Sequence, residues 1–359
     1  MKELYAPEEK TVRVPATKLK EMVAGIFHKL GLPEEDAEIC ANALVQADLL
    51  GVDTHGVSNY IELFYVPGLQ VGKINPQPRI QTVYETPVTA VLDGDGGMGF
   101  VVGTRAMELA IHKAKQSGVG LVTVKNSRHF GMAGYFALMA LPHDMIGLSM
   151  TNTDRLVVPT FGREARIGTN PISVAVPAAE EAPFLLDMAT STVTMGKIML
   201  ARRAGAKLPD GWAADQEGRP TTDPEVAWEA KNLLPLGGIY EQGSHKGYGL
   251  SALVDVLSGV LSGAGVRFDL EMGTAMAHFF GAIRIDAFHP AEKFKSMMDG
   301  YLRMLRETPP VEGQERVYYA GLVEHETKQE RSREGIPLHE QVVVYLRELA
   351  NELGVEQRI

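Results

Sequence analysis

Two histidines stand where side chains do chemistry. His129 lies in "KNSRHFGMAGYF", after an apolar run and before a helical one. A strand-to-helix turn holds its residues at the open edge of a scaffold. Imidazole titrates near neutrality, which suits proton transfer to an alcohol or a carbonyl. Arg128 beside it is a candidate for a substrate carboxylate, or else a solvated surface arginine. His55 sits between glycines in "GVDTHGVSN", with the Thr54 hydroxyl next to it. It is either an acid/base or substrate-orienting group on an exposed turn, or a turn histidine held by hydrogen bonds.

Other polar turns could hold a nucleotide. "IGTNPISV" and "LLDMATSTVTMGK" set Asn170, Asp187, Thr190 and Ser191 beside apolar strands. These groups suit ribose or phosphate, and suit equally the capping of a following helix. "GSHKGYGL" puts Lys246 at a glycine-bounded helix start, where an ammonium, free N–H groups and the helix dipole favour a phosphate. "VLDGDGGMGF" contains G-x-G-x-x-G at Gly94, Gly96 and Gly99. Strand, glycine loop, helix and strand follow one another there, as at a Rossmann dinucleotide site. Asp93 and Asp95, however, would face a pyrophosphate dianion. The second strand ends in Lys125-Asn126, without an acid for a ribose hydroxyl. These residues favour a tight structural turn.

Elements must carry these turns. Helices are predicted over Thr17–Leu30 and from Leu32-Pro33-Glu34-Glu35 to about Leu50. A third helical stretch follows "DTHGVSN" and breaks near Pro67-Gly68, before a linker near 73–80. Beyond residue 82, short β-branched runs alternate with helical ones: "VTAVLD", "VGLVTVKN", "MIGLSMTN", "PISVAVP" and "PFLLDMA". "KLPDGWAADQEGRPTTDPE" reads as ordered loop. "GYGLSALVDVLSGVLSGAG" reads as a buried helix. The last stretch, from about Pro290, is helical and ends in the amphipathic "LHEQVVVYLRELANEL".

The 359 residues, 45% hydrophobic and 22% charged, are enough for two packed domains of ordinary globular type, or for one large domain with a helical appendage. No apolar run reaches a membrane span, and no secretory signal core opens the chain. The net charge of -10 disfavours sequence-independent nucleic-acid binding. A lone cysteine, Cys40, leaves no intramolecular disulfide and points to the cytoplasm. His112, His143, His278 and His289 stand apart, without metal-ligand spacing.

The set "DTHGV", "NSRHFG", "GTNP", "DMATS", "PDGWA" and "KGYGL", in this order, resembles the type-2 malate/L-lactate dehydrogenase family. "LPDGWAADQEGRPTTDP", "RVYYAGL" and "REGI" look closest to its ureidoglycolate dehydrogenase branch. The resemblance implies an α/β fold that is not Rossmann. A mixed-sheet nucleotide-binding domain, residues 81–289, would join a helical domain built from 1–80 and 290–359. It implies NAD or NADP as cofactor, a small 2-hydroxy acid or 2-oxo acid as substrate, and a homodimer with each site near the subunit interface. Some relatives reduce cyclic imine acids instead. Carried over by motif, His129 resembles the family's acid/base and His55 a second active-site histidine. Thr54 would lie near the substrate. Asp187, Met188, Ala189, Thr190 and Ser191 match one cofactor turn, Lys246 and Gly247 a second, and Gly321 a third. Ala320 and Leu322 depart from the usual neighbours of Gly321. Asn59 stands where many members carry an arginine for the substrate carboxylate, and an amide lacks that charged fork. A nucleotide-binding protein without catalysis is the remaining alternative.

Overall fold

The computed structural model describes residues 10–266 and 276–359. Strand β1 (Thr11–Val14) leads into helices α1 (Ala16–Lys29) and α2 (Glu34–Leu49), both within two residues of the expected bounds. In α1, Leu19, Met22, Val23, Ile26 and Phe27 recur at helical spacing and are buried. Glu34, Glu35 and Asp36 fill the first turn of α2, where the positive helix end favours acids. A 3-10 turn over Asp53–His55 feeds α3 (Val57–Tyr60), a π-helical turn Ile61–Tyr65 and α4 (Val66–Gln70). Pro67 does not break the helix. It lies in the first turn of α4, where a missing N–H costs nothing.

The sheet strands follow the β-branched runs: β2 (Gln81–Glu85), β3 (Thr89–Asp93), β4 (Val119–Ser127), β5 (Met145–Thr151), β6 (Ile172–Val176) and β7 (Phe184–Met188). Helix α5 (Gly99–Ser117) joins β3 to β4, and α6 (Ala133–Leu138) precedes β5. Next come α7 (Met195–Ala204), a small sheet of β8 (Ala213–Ala214), β9 (Pro220–Thr221) and β10 (Asn232–Leu233) with α8 (Pro224–Ala230), and α9 (Ser244–Val254). Strand β11 (Met276–Arg284) completes a seven-stranded sheet of order β2-β3-β4-β11-β5-β6-β7. Only β3 and β4 run parallel; every other pair is antiparallel. The sheet is mixed, and the doubly wound parallel arrangement of a Rossmann domain is absent from it.

Strand β11, at the sheet's centre, escapes the sequence reading. Its Ala277, Gly281 and Ala282 carry no β-branching, so the run lacks a strand signature. Helices α5 and α6 cover one face of the sheet around Ala106, Phe136 and Phe280. Helix α9 and the π turn Asp255–Val260 cover the other around Met150, Val254 and Phe279.

Helix α10 (Ala291–Arg306) packs its Leu302 against Phe184 at the sheet edge. Asp299 takes the N–H groups of Ala179, Glu180 and Glu181, each at 3.0 Å. Helix α11 (Leu322–Glu334) leads to β12 (Ile336–His339) and α12 (Glu340–Leu353). Strand β12 pairs antiparallel with β1, Ile336 opposite Val14. Val343, Leu346 and Leu349 of α12 share one core with Phe27 and Leu44. Helices α1, α2 and α12 thus share one core, closed by the β1–β12 pair. No helix among the described residues is long and apolar enough to cross a membrane. Nor do those residues gather three His, Cys, Asp or Glu side chains able to hold a metal.

Candidate active site

The fold brings His55 and His129 together from opposite parts of the structure. Their rings lie nearly parallel, 5.8 Å between centroids and 9° between planes. Tyr60 stacks on His129 at 4.3 Å and 14°. The π turn adds Phe64 and Tyr65, each within 6 Å of the His129 ring centre. One extra residue per turn lets the adjacent Phe64 and Tyr65 both face the histidine. Such turns are frequent at functional sites.

Hydrogen bonds assign the proton on His129. The Gly131 N–H points at Nδ1 from 3.3 Å and can only donate. Nδ1 is therefore an acceptor in this state, and the Tyr65 hydroxyl, 2.6 Å away, donates to it as well. The neutral ring then carries its proton on Nε2. Burial holds the His129 pKa well below its usual value, and His55 and His278 push it the same way. Burial pulls His55 down to about 4. Both residues are half-buried, and the surrounding atoms leave little room to solvate an ion. Tyr65 is fully buried, and burial raises its hydroxyl pKa well above the phenol range, so it stays an O–H.

His278 underlies this turn as a structural group. It stacks on Phe130 at 4.7 Å, and its two nitrogens meet Thr151 and Ser127, both at 2.8 Å. Burial lowers its pKa to about 3, so it bridges β11, β5 and β4 as a neutral ring.

The glycine loop serves His129 rather than a pyrophosphate. A Cβ on Gly99 would lie 2.2 Å from the Arg128 carbonyl oxygen and 2.5 Å from that of His129. Only glycine lets the start of α5 approach the histidine's backbone this closely. The loop's acids are occupied. Asp95 accepts from the Arg79 N–H at 2.9 Å and from Asn75 at 3.0 Å, and Asp93 accepts from Asn126 at 3.0 Å. The strand, loop, helix and strand expected there are present as β3, α5 and β4, around a structural turn.

Thr54 Oγ1 lies 3.0 Å from His55 Nδ1. Arg128 donates to the carbonyls of Lys73 at 2.7 Å and Ser127 at 3.0 Å, so its Nε and Nη1 tie the turn down. Asn59 falls in α3, and its side chain lies outside the described residues.

Most of the nucleotide candidates converge on one hub beside β6 and β7. Asn170 accepts from the Thr153 N–H at 2.9 Å and donates to the Ser251 carbonyl at 3.0 Å. Thr190 Oγ1 donates to the Asn170 carbonyl at 3.0 Å, and Ser191 Oγ to that of Val193 at 2.7 Å. Gly247 packs on Leu236, which in turn bonds to the Thr190 carbonyl. These side chains build the hub, so a ligand there would meet mainly backbone groups and helix ends. Met188 and Ala189 lie between Asp187 and the hub, at the end of β7. Gly321 sits apart from the hub, at the start of α11 against Pro183 and Leu185. The start of α9 has no side-chain cap and no acid in its first turn, and it carries Lys246 there. That donor set fits the phosphates of a dinucleotide.

Asp187 accepts from the Gly134 N–H at 2.6 Å, which fixes α6 directly after the His129 turn. Burial raises its carboxyl pKa to about 7, against the pull of Gly134 N–H and with the push of the Glu324 charge. The folded chain thus keeps a proton that the unfolded chain loses near pH 4. Stability from this group falls as pH rises from about 4 to about 7. The melting temperature of Asp187→Asn, relative to the parent, should climb over that window. A difference that stays flat or declines would count against it.

Tyr65 and Tyr60 were not picked out from sequence. Their signal is "NYIELFY" directly after the His55 turn, an aromatic cluster on a short helical run.

The chain belongs to the malate/L-lactate dehydrogenase family, whose profile matches residues 14–347. It is 45% identical over 354 residues to a malate dehydrogenase of Pyrococcus horikoshii, covering 97% of this chain and 98% of that one. The solved structure of malate dehydrogenase from that organism superposes with a TM-score of 0.89 over 98% of both chains, at 43% identity. An L-sulfolactate dehydrogenase of Methanocaldococcus jannaschii is 41% identical over 94% of this chain and 96% of its own. The ureidoglycolate dehydrogenase of Escherichia coli K12 is 32% identical over 93% of this chain and 95% of its own. Identity over the whole chain thus favours the malate and sulfolactate relatives over the branch that the loop segments resemble.

Proposed function

We propose that this protein is an NAD(P)-dependent dehydrogenase that interconverts a small 2-hydroxy acid and its 2-oxo acid. The observation that carries this is His129, neutral, with Nδ1 held by Tyr65 and Gly131 so that Nε2 serves the substrate oxygen. When bound, the nicotinamide cofactor supplies or takes up the hydride. In reduction, His129 must first carry protons on both nitrogens; Nε2–H then passes its proton to the carbonyl oxygen as the hydride arrives, and the ring is left neutral with its proton on Nδ1. In oxidation, the ring starts from the other neutral tautomer, with its proton on Nδ1, and Nε2 accepts the hydroxyl proton to give the imidazolium. The Tyr65 hydroxyl can then turn from donor to acceptor for Nδ1–H. His55 and Thr54 flank the reacting oxygen, and Tyr60, Phe64 and Phe100 exclude water from it. The backbone at Asn170, Asp187–Ser191 and Gly321, with Lys246 and Gly247, holds the cofactor.

Malate and sulfolactate, the substrates in the relatives' names, are both 2-hydroxy acids with a second anionic group. We therefore expect the same class here. Initial rates with NAD and NADP against malate, sulfolactate, lactate and ureidoglycolate test this, with oxaloacetate, pyruvate and piperideine-2-carboxylate in reverse. One clear hydroxy-acid pair supports the assignment. A rate only with the cyclic imine would make this an imine reductase. Cofactor binding with no turnover at all would leave a nucleotide-binding protein.

We further propose a homodimer. Helix α9 and the turn after it leave Leu253, Val256, Val260 and Leu261 between 46% and 57% exposed. The helix expected to be buried is so on one side only, and an apolar stripe of this kind suits a second copy. Light scattering should give twice the chain mass of 39.1 kDa. Leu253→Glu with Val256→Glu should halve it. A monomer in the parent would end this proposal.

A further inference from the structure

Asp48, in the last turn of α2, is fully buried under the turn that carries His55. Its Oδ2 accepts from the Val57 N–H at 2.9 Å. Its Oδ1 is buried without a hydrogen-bond partner among the described residues. A Cβ on Gly56 would lie 1.8 Å from that oxygen, so carboxyl and turn are in direct contact and residue 56 must be glycine. From the other side, Arg331 of α11 donates to the Asp48 carbonyl at 2.5 Å and grips the Asp53 carboxylate with both terminal nitrogens. Asp53, Gly56 and Val57 are thus each fixed, and they bracket His55.

We propose that Asp48 is a positioning residue for His55: its carboxyl, wedged under Gly56 and capping Val57, sets the turn from which the histidine reaches the substrate. The proposal rests on the assignment of His55 to the active site. The cap closes the start of the helical run from Val57 to Gln70, of which α3 is the first four residues, and the same carboxyl lies against the turn before that run. What the cap holds is the turn before it. A buried carboxyl oxygen left without a partner is a cost that a purely structural cap would avoid. Burial raises the Asp48 pKa to about 8, opposed by the Val57 N–H, with the Asp53 charge pushing up and Arg331 down. The group is therefore mostly neutral at pH 7, and an amide of the same shape should replace it.

The test uses the full-length enzyme with its best substrate and cofactor pair. Asp48→Ala should lower kcat by about tenfold or more, the range typical for groups that orient an active-site histidine. NADH affinity, read by fluorescence, should stay within about twofold. Asp48→Asn should recover at least about a third of kcat. In a cycle with His55→Ala, the double variant should be no slower than His55→Ala alone, because both changes act through one side chain. If Asp48→Ala does not fold, Arg331→Lys loosens the same turn from outside and should show the same split and the same non-additivity. Multiplicative losses, wild-type turnover in Asp48→Ala, or an Asp48→Asn as slow as Asp48→Ala would each overturn the proposal. Wild-type turnover in His55→Ala would instead remove His55 from the site and so overturn the assignment beneath it.

Discussion

His129→Ala should lower turnover by about a hundredfold or more while cofactor affinity holds. Its Nδ1 is held by Tyr65 and Gly131, which leaves Nε2 for the substrate. Truncation removes that proton path and leaves the hub at Asn170, Thr190 and Gly247 intact. Tyr65→Phe separates positioning from proton transfer. It deletes only the hydroxyl 2.6 Å from Nδ1 and should cost about ten- to a hundredfold in kcat. Steady-state kinetics beside NADH titration would check both. Near-normal turnover in His129→Ala would move the acid/base role to His55 or elsewhere.

Gly99→Ala should damage both fold and rate. The new Cβ would fall 2.2 Å from the Arg128 carbonyl, inside any tolerable contact. Backbone cannot rotate away as a side chain can, so either α5 or the His129 turn must shift. Overpacking of this kind costs about 1–3 kcal/mol. A shift of about an ångström at the histidine can cost as much as a hundredfold in rate. Thermal melting and kinetics on one preparation give both numbers. If neither moves, the close approach of α5 to His129 does not hold the site.

The strands with branched residues were legible in the sequence, because Val and Ile runs broken by turns have few other uses. Strand β11 was not, since Ala, Gly and Phe in a central strand look no different from a helix core. The two histidines were legible as single residues. Their meeting was not, because about seventy residues and a sheet crossover separate them. Asp48 was hidden for a further reason: within α2 it reads as one more helical acid, and only the fold shows the turn it underlies. The G-x-G-x-x-G loop teaches the converse lesson. Its Gly99 is required, but by the neighbouring His129 backbone instead of a ligand.

The pairing of β1 with β12 also governs how the chain comes into being. Arg13 and Gly335, joined by a hydrogen bond there, lie 322 residues apart. Helices α1 and α2 leave the ribosome well before β12 and α12, the strand and helix that seal their core. At about 5–20 residues per second, that interval is roughly 15–60 s. For all of it, Phe27 and Leu44 lack the contacts that Val343, Leu346 and Leu349 will supply. Until α12 emerges, the nascent chain keeps part of that apolar surface open to solvent.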